Sequence, residues 1–228
     1  MNVTYYGHSC FLIEIGAYRV IFDPVISPTP FAARVNVDEI GVDFILLTHG
    51  HDDHLHDVER IAARTQAPVL APYETGEYLR GRGVANVIPG NVGGRFLLPF
   101  GTVRMVAALH SNRLPDGTYG GLAAGFVVEA GGQAIYYACD TALTQEMKTL
   151  TELYPGGLDA AFLPIGGTYT MDVADALVAA RWCGARRVVG MHFDSFPALM
   201  LDHATAEEQA RAAGVELLLP TVEQNFVL

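Results

Sequence analysis

Positive charge is scarce in this sequence: lysine occurs once, as Lys148, and 14 basic residues face 25 acidic ones, for a net charge of −11. Proteins that grip a nucleic-acid backbone draw most of their affinity from neutralising phosphates with Lys and Arg. The chain has no Lys/Arg cluster to do this, which disfavours nucleic acid and anionic membrane surfaces and points to a small-molecule substrate. Cysteine is scarce too. Cys10, Cys139 and Cys183 are odd in number and widely spaced, without a Cys-x-x-Cys pair, which argues against a thiolate zinc site and for free thiols in a reducing compartment. No segment reaches the roughly 18 to 20 apolar residues that cross a bilayer. Met1 to Tyr6 run straight into a strand pattern without a basic leader region, so a cytoplasmic protein is expected. Pro/Ser-rich linkers and low-complexity tracts are missing, and 228 residues with 50% hydrophobic content suffice for one core, so residues 1–228 are expected to form a single domain.

Histidine, by contrast, is concentrated. Three of the eight histidines fall within Thr48-His49-Gly50-His51-Asp52-Asp53-His54, directly after the apolar run Phe44-Ile45-Leu46-Leu47. Neutral imidazoles and a carboxylate are the donors that hold zinc and similar divalent ions. They can converge on one point only if the backbone turns sharply, a role assigned to Gly50. Four such groups exceed what one catalytic ion with an open position needs, so two ions sharing the cluster are expected, with further donors from elsewhere. Those donors should lie at strand ends. His110 follows the strand pattern Val103–Ala107 after a short extension, His192 follows Val188–Met191 directly, and Asp140 ends an apolar run.

Two hairpin patterns recur, one in each half. Phe11-Leu12-Ile13-Glu14-Ile15-Gly16 precedes Arg19 to Asp23, and Phe126-Val127-Val128-Glu129-Ala130-Gly131 precedes Ala134 to Asp140. Both read as strand, glycine turn, strand, and suggest an internal duplication of two β-rich halves. Helical patterns cover 57–65, 74–82, 143–154 and 171–183, and Thr205 to Glu208 reads as a capping box for a helix ended by Gly214. Short strands alternate with them, so two mixed sheets packed face to face with helices outside are expected.

His-x-His-x-Asp-His, then a distant His, an Asp and a final His resembles the metallo-β-lactamase superfamily. Within it the chain is similar to small single-domain metal-dependent hydrolases related to the L-ascorbate-6-phosphate lactonases. The segments carrying the resemblance are Tyr6-Gly7-His8-Ser9-Cys10-Phe11, Leu47-Thr48-His49, Asp140-Thr141-Ala142-Leu143, Leu163-Pro164-Ile165-Gly166-Gly167 with Tyr169-Thr170-Met171, and His192-Phe193 with Phe196-Pro197. The resemblance implies an α/β, four-layer αββα sandwich of two mixed sheets flanked by helices. It also implies that His49, His51 and His110 hold a first metal, that Asp53, His54 and His192 hold a second, and that Asp140 bridges them. Two divalent ions, zinc by default and otherwise Mn, Fe or Ni, would supply a hydroxide that cleaves an ester, lactone, amide or phosphoester bond. Asp53 would also pass a proton to the leaving group. A nucleic-acid phosphodiesterase and a metal-binding protein without hydrolytic activity are the alternatives.

Cys139 stands where the family pattern has Gly. Strand alternation predicts that its side chain points away from the metals and packs in the core, the alternative being a redox-sensitive thiol behind the ligands. His8, Tyr169 and Asp194 are candidates for substrate contact, Tyr169 and Thr170 being equally able to cap the helix near Met171. Asp23 is either an acceptor behind a ligand histidine or a turn residue before Pro24. Asp52 is expected behind the ligands or in solvent, and His56 and His203 outside the cluster. The apolar stretch Phe196 to Leu201 suggests self-association or a lid over the pocket.

Overall fold

A computed structural model describes residues 1–27 and 29–228. Among these, fourteen strands form two seven-stranded sheets. The first contains β1 (Asn2–Gly7), β2 (Cys10–Ile15), β3 (Tyr18–Phe22), β4 (Phe44–Leu46), β5 (Val69–Pro72), β6 (Val87–Gly90) and, at its edge, β14 (Asn225–Val227). The second contains β7 (Arg95–Leu98), β8 (Gly101–Ala107), β9 (Ala124–Ala130), β10 (Gln133–Tyr137), β11 (Ala160–Pro164), β12 (Arg187–Met191) and β13 (Glu216–Leu218). Six helices accompany them: α1 (Asp52–Leu55), α2 (Val58–Thr65), α3 (Tyr73–Gly81), α4 (Thr149–Leu153), α5 (Val173–Cys183) and α6 (His203–Ala213). None of the described helices is long and apolar enough to cross a membrane.

The strand orders, β14-β1-β2-β3-β4-β5-β6 and β7-β8-β9-β10-β11-β12-β13, match position for position. In each sheet the first three pairings are antiparallel and the last three parallel. The hairpins β2–β3 and β9–β10 occupy equivalent central places, which supports the duplication read from their shared pattern.

Alternation along the strands builds the layers. Phe11, Phe22 and Tyr5 point from the first sheet to meet Phe126, Tyr137 and Phe162 of the second. Leu12, Ile21 and Ile45 point the other way, onto Ile61 and Leu79 of α2 and α3. Tyr136, Ala161 and Val188 pack on Ala176, Ala180 and Ala206 of α5 and α6. Each fully buried large apolar side chain contributes about 1.5–3 kcal/mol, so three stacked interfaces hold the αββα sandwich together.

Element boundaries differ from the sequence patterns where capping decides them. Helix α5 starts at Val173 because Asp172 accepts from Asp175 N–H, so Tyr169 and Thr170 do not cap it. For α6 the cap is Asp202, accepting from Thr205 N–H, rather than Thr205 itself. The stretch 143–154 is a 3₁₀ turn (Gln145–Lys148) running into the short α4.

Candidate metal centre

The candidate donors sit just beyond the C-terminal ends of strands, on the loops that follow them, or, for Asp53 and His54, in the helical turn α1. β1 leads to His8, β4 to His49, β8 to His110, β10 to Asp140 and β12 to His192. After β4 the chain passes through buried Thr48 and His49 and turns into α1, a single helical turn whose His54 and Leu55 N–H groups bond to His51 C=O. His54 thereby packs against His49, ring centroids 4.2 Å apart, and Asp53 reaches His8. Gly50 is not in left-handed backbone; what it supplies is space. A Cβ there would collide with Leu114 and lie 3.2 Å from Asn112 Oδ1, the atom that accepts from Gly50 N–H at 2.7 Å.

Three donor groups result, each with atoms within 4.8 Å of one another: His49, His51 and His110; His8, Asp53, His54 and His192; and, behind these two, His49, His54 and Cys139. In the first, His49 Nε2 and His51 Nδ1 are 3.0 Å apart. In the second, His8 Nε2 is 3.3 Å from Asp53 Oδ2. Asp140 Oδ2 lies between the first two groups, 3.5 Å from His110 Nε2, 3.4 Å from His54 Nε2 and 3.1 Å from His192 Nε2. The seven positions implied by the resemblance are thus brought together, and His8 joins them.

These residues fit a cation. His54 Nε2, Asp140 Oδ1 and His192 Nδ1 are buried without any hydrogen-bond partner. Orphaned buried polar atoms each cost about 1–3 kcal/mol, and a metal ion would relieve those that face the centre. Charge points the same way. Burial pushes the imidazoles of His49, His51 and His110 down, so they are held neutral, the form that ligates. Burial pushes Asp140 up, but His54 and His192 outweigh it and hold the carboxyl well below its ordinary range. Burial lowers His54 too, yet the Asp140 carboxylate outweighs it and holds the imidazole well above the ordinary value.

Behind the donors is a buried polar network that the sequence left ambiguous. Asp23, fully buried, accepts from Thr48 N–H and Oγ1–H, both at 2.8 Å, and its Oδ2 is 3.1 Å from His54 Nδ1. Cys139 Sγ donates to Asp23 at 3.0 Å and lies 3.7 Å from His49 Nδ1 and 3.6 Å from His54 Nδ1. Cys139 packs in the inter-sheet core, as expected, but it also touches the rear of one histidine from each group. Alternation fails there because β10 has ended and Cys139 is in left-handed backbone, φ 56°.

The remaining candidates lie around this core. Tyr169 is exposed, on a loop tied by Thr168 Oγ1 to Ala198 C=O at 3.2 Å. Asp194 faces away from the donors; it accepts from Leu201 N–H at 2.8 Å and pairs with His203 at 2.6 Å. Asp52 is exposed beside His56. Neither His56 nor His203 belongs to a donor group.

The fold and donor pattern are those of a metallo-hydrolase. The family described as "Beta-lactamase superfamily domain" matches residues 18–193. A UPF0173 metal-dependent hydrolase of Methylacidiphilum infernorum is 42% identical over 228 residues, all of both chains, and one of Flavobacterium johnsoniae is 40% identical over the same span. Among solved structures, Igni18, a metallo hydrolase from Ignicoccus hospitalis, superposes with a TM-score of 0.87 at 30% identity, covering 100% of this chain and 98% of its own. An isothiocyanate hydrolase from Delia radicum gut bacteria, at 18% identity, shares the fold with a TM-score of 0.78 over 100% of this chain and 99% of its own. The chain belongs to the β-lactamase superfamily and, within it, to the UPF0173 metal-dependent hydrolases.

Proposed function

We propose that the chain is a dinuclear hydrolase in which His49, His51 and His110 hold one divalent ion, Asp53, His54 and His192 hold another, and Asp140 bridges the two. The observation that carries this reading is the position of Asp140 Oδ2, within 3.5 Å of imidazole nitrogens from both groups. When bound, such a pair of ions lowers the pKa of a water toward neutrality and polarises the oxygen under attack. Zinc is the expected metal, and N/O donor sets of this kind also accept Mn, Fe or Ni.

The chain's own residues divide the remaining work. Asp140, buried and held ionised, fixes the spacing of the two groups. Asp53 is the carboxylate of the centre that reaches solvent, its side chain 38% exposed against 3% for Asp140. It is placed to orient the attacking water and return a proton to the leaving group. Both carboxylates pair with histidines, and no Lys or Arg partners them among the described residues. The loops around the centre expose apolar Leu109, Tyr169, Phe196 and Met200. These features favour a small neutral or mildly polar substrate with an ester, lactone, amide or phosphoester bond over a nucleic acid. The test is metal content of the purified protein with rates on an ester, lactone, amide and phosphodiester panel. Two equivalents and chelator-sensitive turnover support the reading; a metal-loaded protein that turns over none of the panel leaves a binding protein.

A further inference from the structure

His8 has the geometry of a donor. It is 1% exposed, and its backbone is left-handed, φ 53°, like that of His192 at φ 57°. The two are locked together: His192 N–H donates to His8 C=O at 2.8 Å, and Tyr5 Oη–H donates to the same carbonyl at 3.2 Å. Left-handed backbone costs a non-glycine residue about 1–3 kcal/mol and persists where the surroundings enforce it. Here it brings the two imidazoles to 4.1 Å between ring centroids.

Each nitrogen of His8 has a distinct environment. Nδ1 lies 2.5 Å from Ser195 Oγ. A metal-ligating histidine characteristically donates its outer N–H to such an oxygen, which fixes the tautomer and leaves the other nitrogen's lone pair free. That other nitrogen, Nε2, points into the second donor group, where its atoms and those of Asp53, His54 and His192 lie within 4.8 Å of one another. Zinc–nitrogen and zinc–oxygen bonds of about 2.0–2.2 Å would draw these atoms only slightly closer. In the metal-free chain Nε2–H can donate to Asp53 Oδ2 at 3.3 Å, with Ser195 Oγ–H donating to Nδ1. In the tautomer protonated on Nδ1, Nε2 instead presents its lone pair beside the carboxylate, and a cation between them makes that arrangement favourable.

We propose that His8 Nε2 is a further protein donor to the second ion, joining Asp53, His54, His192 and the shared Asp140. This rests on the two-ion reading above. The centre is then asymmetric. His49, His51, His110 and Asp140 offer four donors, the number tetrahedral zinc takes. The second position offers five, three imidazoles and two carboxylates, which suits a six-coordinate ion such as Mn, Fe or Ni with one place for water or substrate.

The experiment is equilibrium binding of Zn²⁺, Mn²⁺ and Co²⁺ to the full chain against a competing chelator, for wild type, His8→Gln and His8→Ala, with the Co²⁺ absorption spectrum as a second readout. Glutamine can keep a hydrogen bond to Asp53 but is a poor ligand, so it separates ligation from positioning. Loss of an outer partner costs 10–100-fold in affinity. His8→Gln should therefore lose at least about 100-fold for the second ion, keep the first, and change the Co²⁺ spectrum. Wild-type affinity in His8→Gln would overturn the proposal even if His8→Ala fails to fold. A wild type that binds a single ion removes the two-ion reading, and His8 stands or falls by whether His8→Gln weakens that ion.

Discussion

Asp23 Oδ2 and His54 Nδ1 lie 3.1 Å apart, both side chains wholly buried, 31 positions apart in the chain. The same carboxylate takes both hydrogen bonds of Thr48, the residue that carries His49, and one from Cys139. One acid behind the centre thus orients a histidine from each group. Asp23→Ala would leave buried donors on Thr48, His54 and Cys139 without an acceptor. Each unsatisfied group costs about 1–3 kcal/mol, so denaturant unfolding of the metal-free variant should show a loss of at least about 3 kcal/mol. Asp23→Asn should be milder in stability and still weaken metal binding 10–100-fold, as loss of an outer partner does. Wild-type affinity in both variants would mean that the network does not orient the histidines.

Asp140 Oδ2 lies between the groups and contacts histidines of both, so its loss should affect both ions. Asp140→Ala is expected to lose at least one equivalent of metal and all hydrolysis, whereas His51→Ala removes a donor from the first group alone. Metal analysis after dialysis checks this. Unchanged stoichiometry in Asp140→Ala would show that the carboxylate does not bridge.

Much of this was legible in the sequence because it rests on short-range pattern. The His49–His54 cluster, the hairpins and the strand-end positions of His110, Asp140 and His192 depend on spacing and alternation, which the chain displays directly. What was hidden depends on contacts between distant segments. His8 and Ser195 are 187 residues apart, and nothing local ties one to the other. Asp23 before Pro24 has the composition of a turn, and only the packing of β3 beside β4 turns it into an acceptor. Cys139 misled for a different reason: face alternation was extended two residues beyond the end of β10, into left-handed backbone. Gly50 was read as a conformational requirement, although Leu114 and Asn112, from another loop, make it a spatial one.

Acid should remove the part of the metal-free protein's stability that rests on His8. Burial pushes His8 down to about 4, from the ordinary value of 6.5 it regains on unfolding. Between those values the unfolded chain binds a proton that the folded chain does not, so stability falls as pH drops through this window and levels off below it. At about 1.4 kcal/mol per unit, His8 accounts for up to roughly 3 kcal/mol. The depressed carboxyl of Asp140 acts in the same direction, its contribution being lost as the unfolded-state carboxylate protonates first. Urea titrations of wild type and His8→Gln between pH 4 and 7 measure the difference. Equal slopes in the two proteins would show that His8 does not titrate this way.

Cys10, Cys139 and Cys183 are all buried, and burial pushes each thiol up, Cys183 to about 11. The thiolate is the reactive species, so none should be available near neutral pH in the folded chain. Labelling with a thiol-disulfide reagent should find no reactive group in the native protein and three after denaturation. Cys139 is the informative one, because it lies within 3.7 Å of both His49 and His54. If one thiol reacts in the metal-free protein and is protected when metal is added, the wall behind the donors opens without its ion. Metal then holds the centre closed as well as supplying its chemistry. If labelling is absent in both forms, the network of Asp23, Thr48 and Cys139 is rigid on its own and presents the histidines pre-arranged.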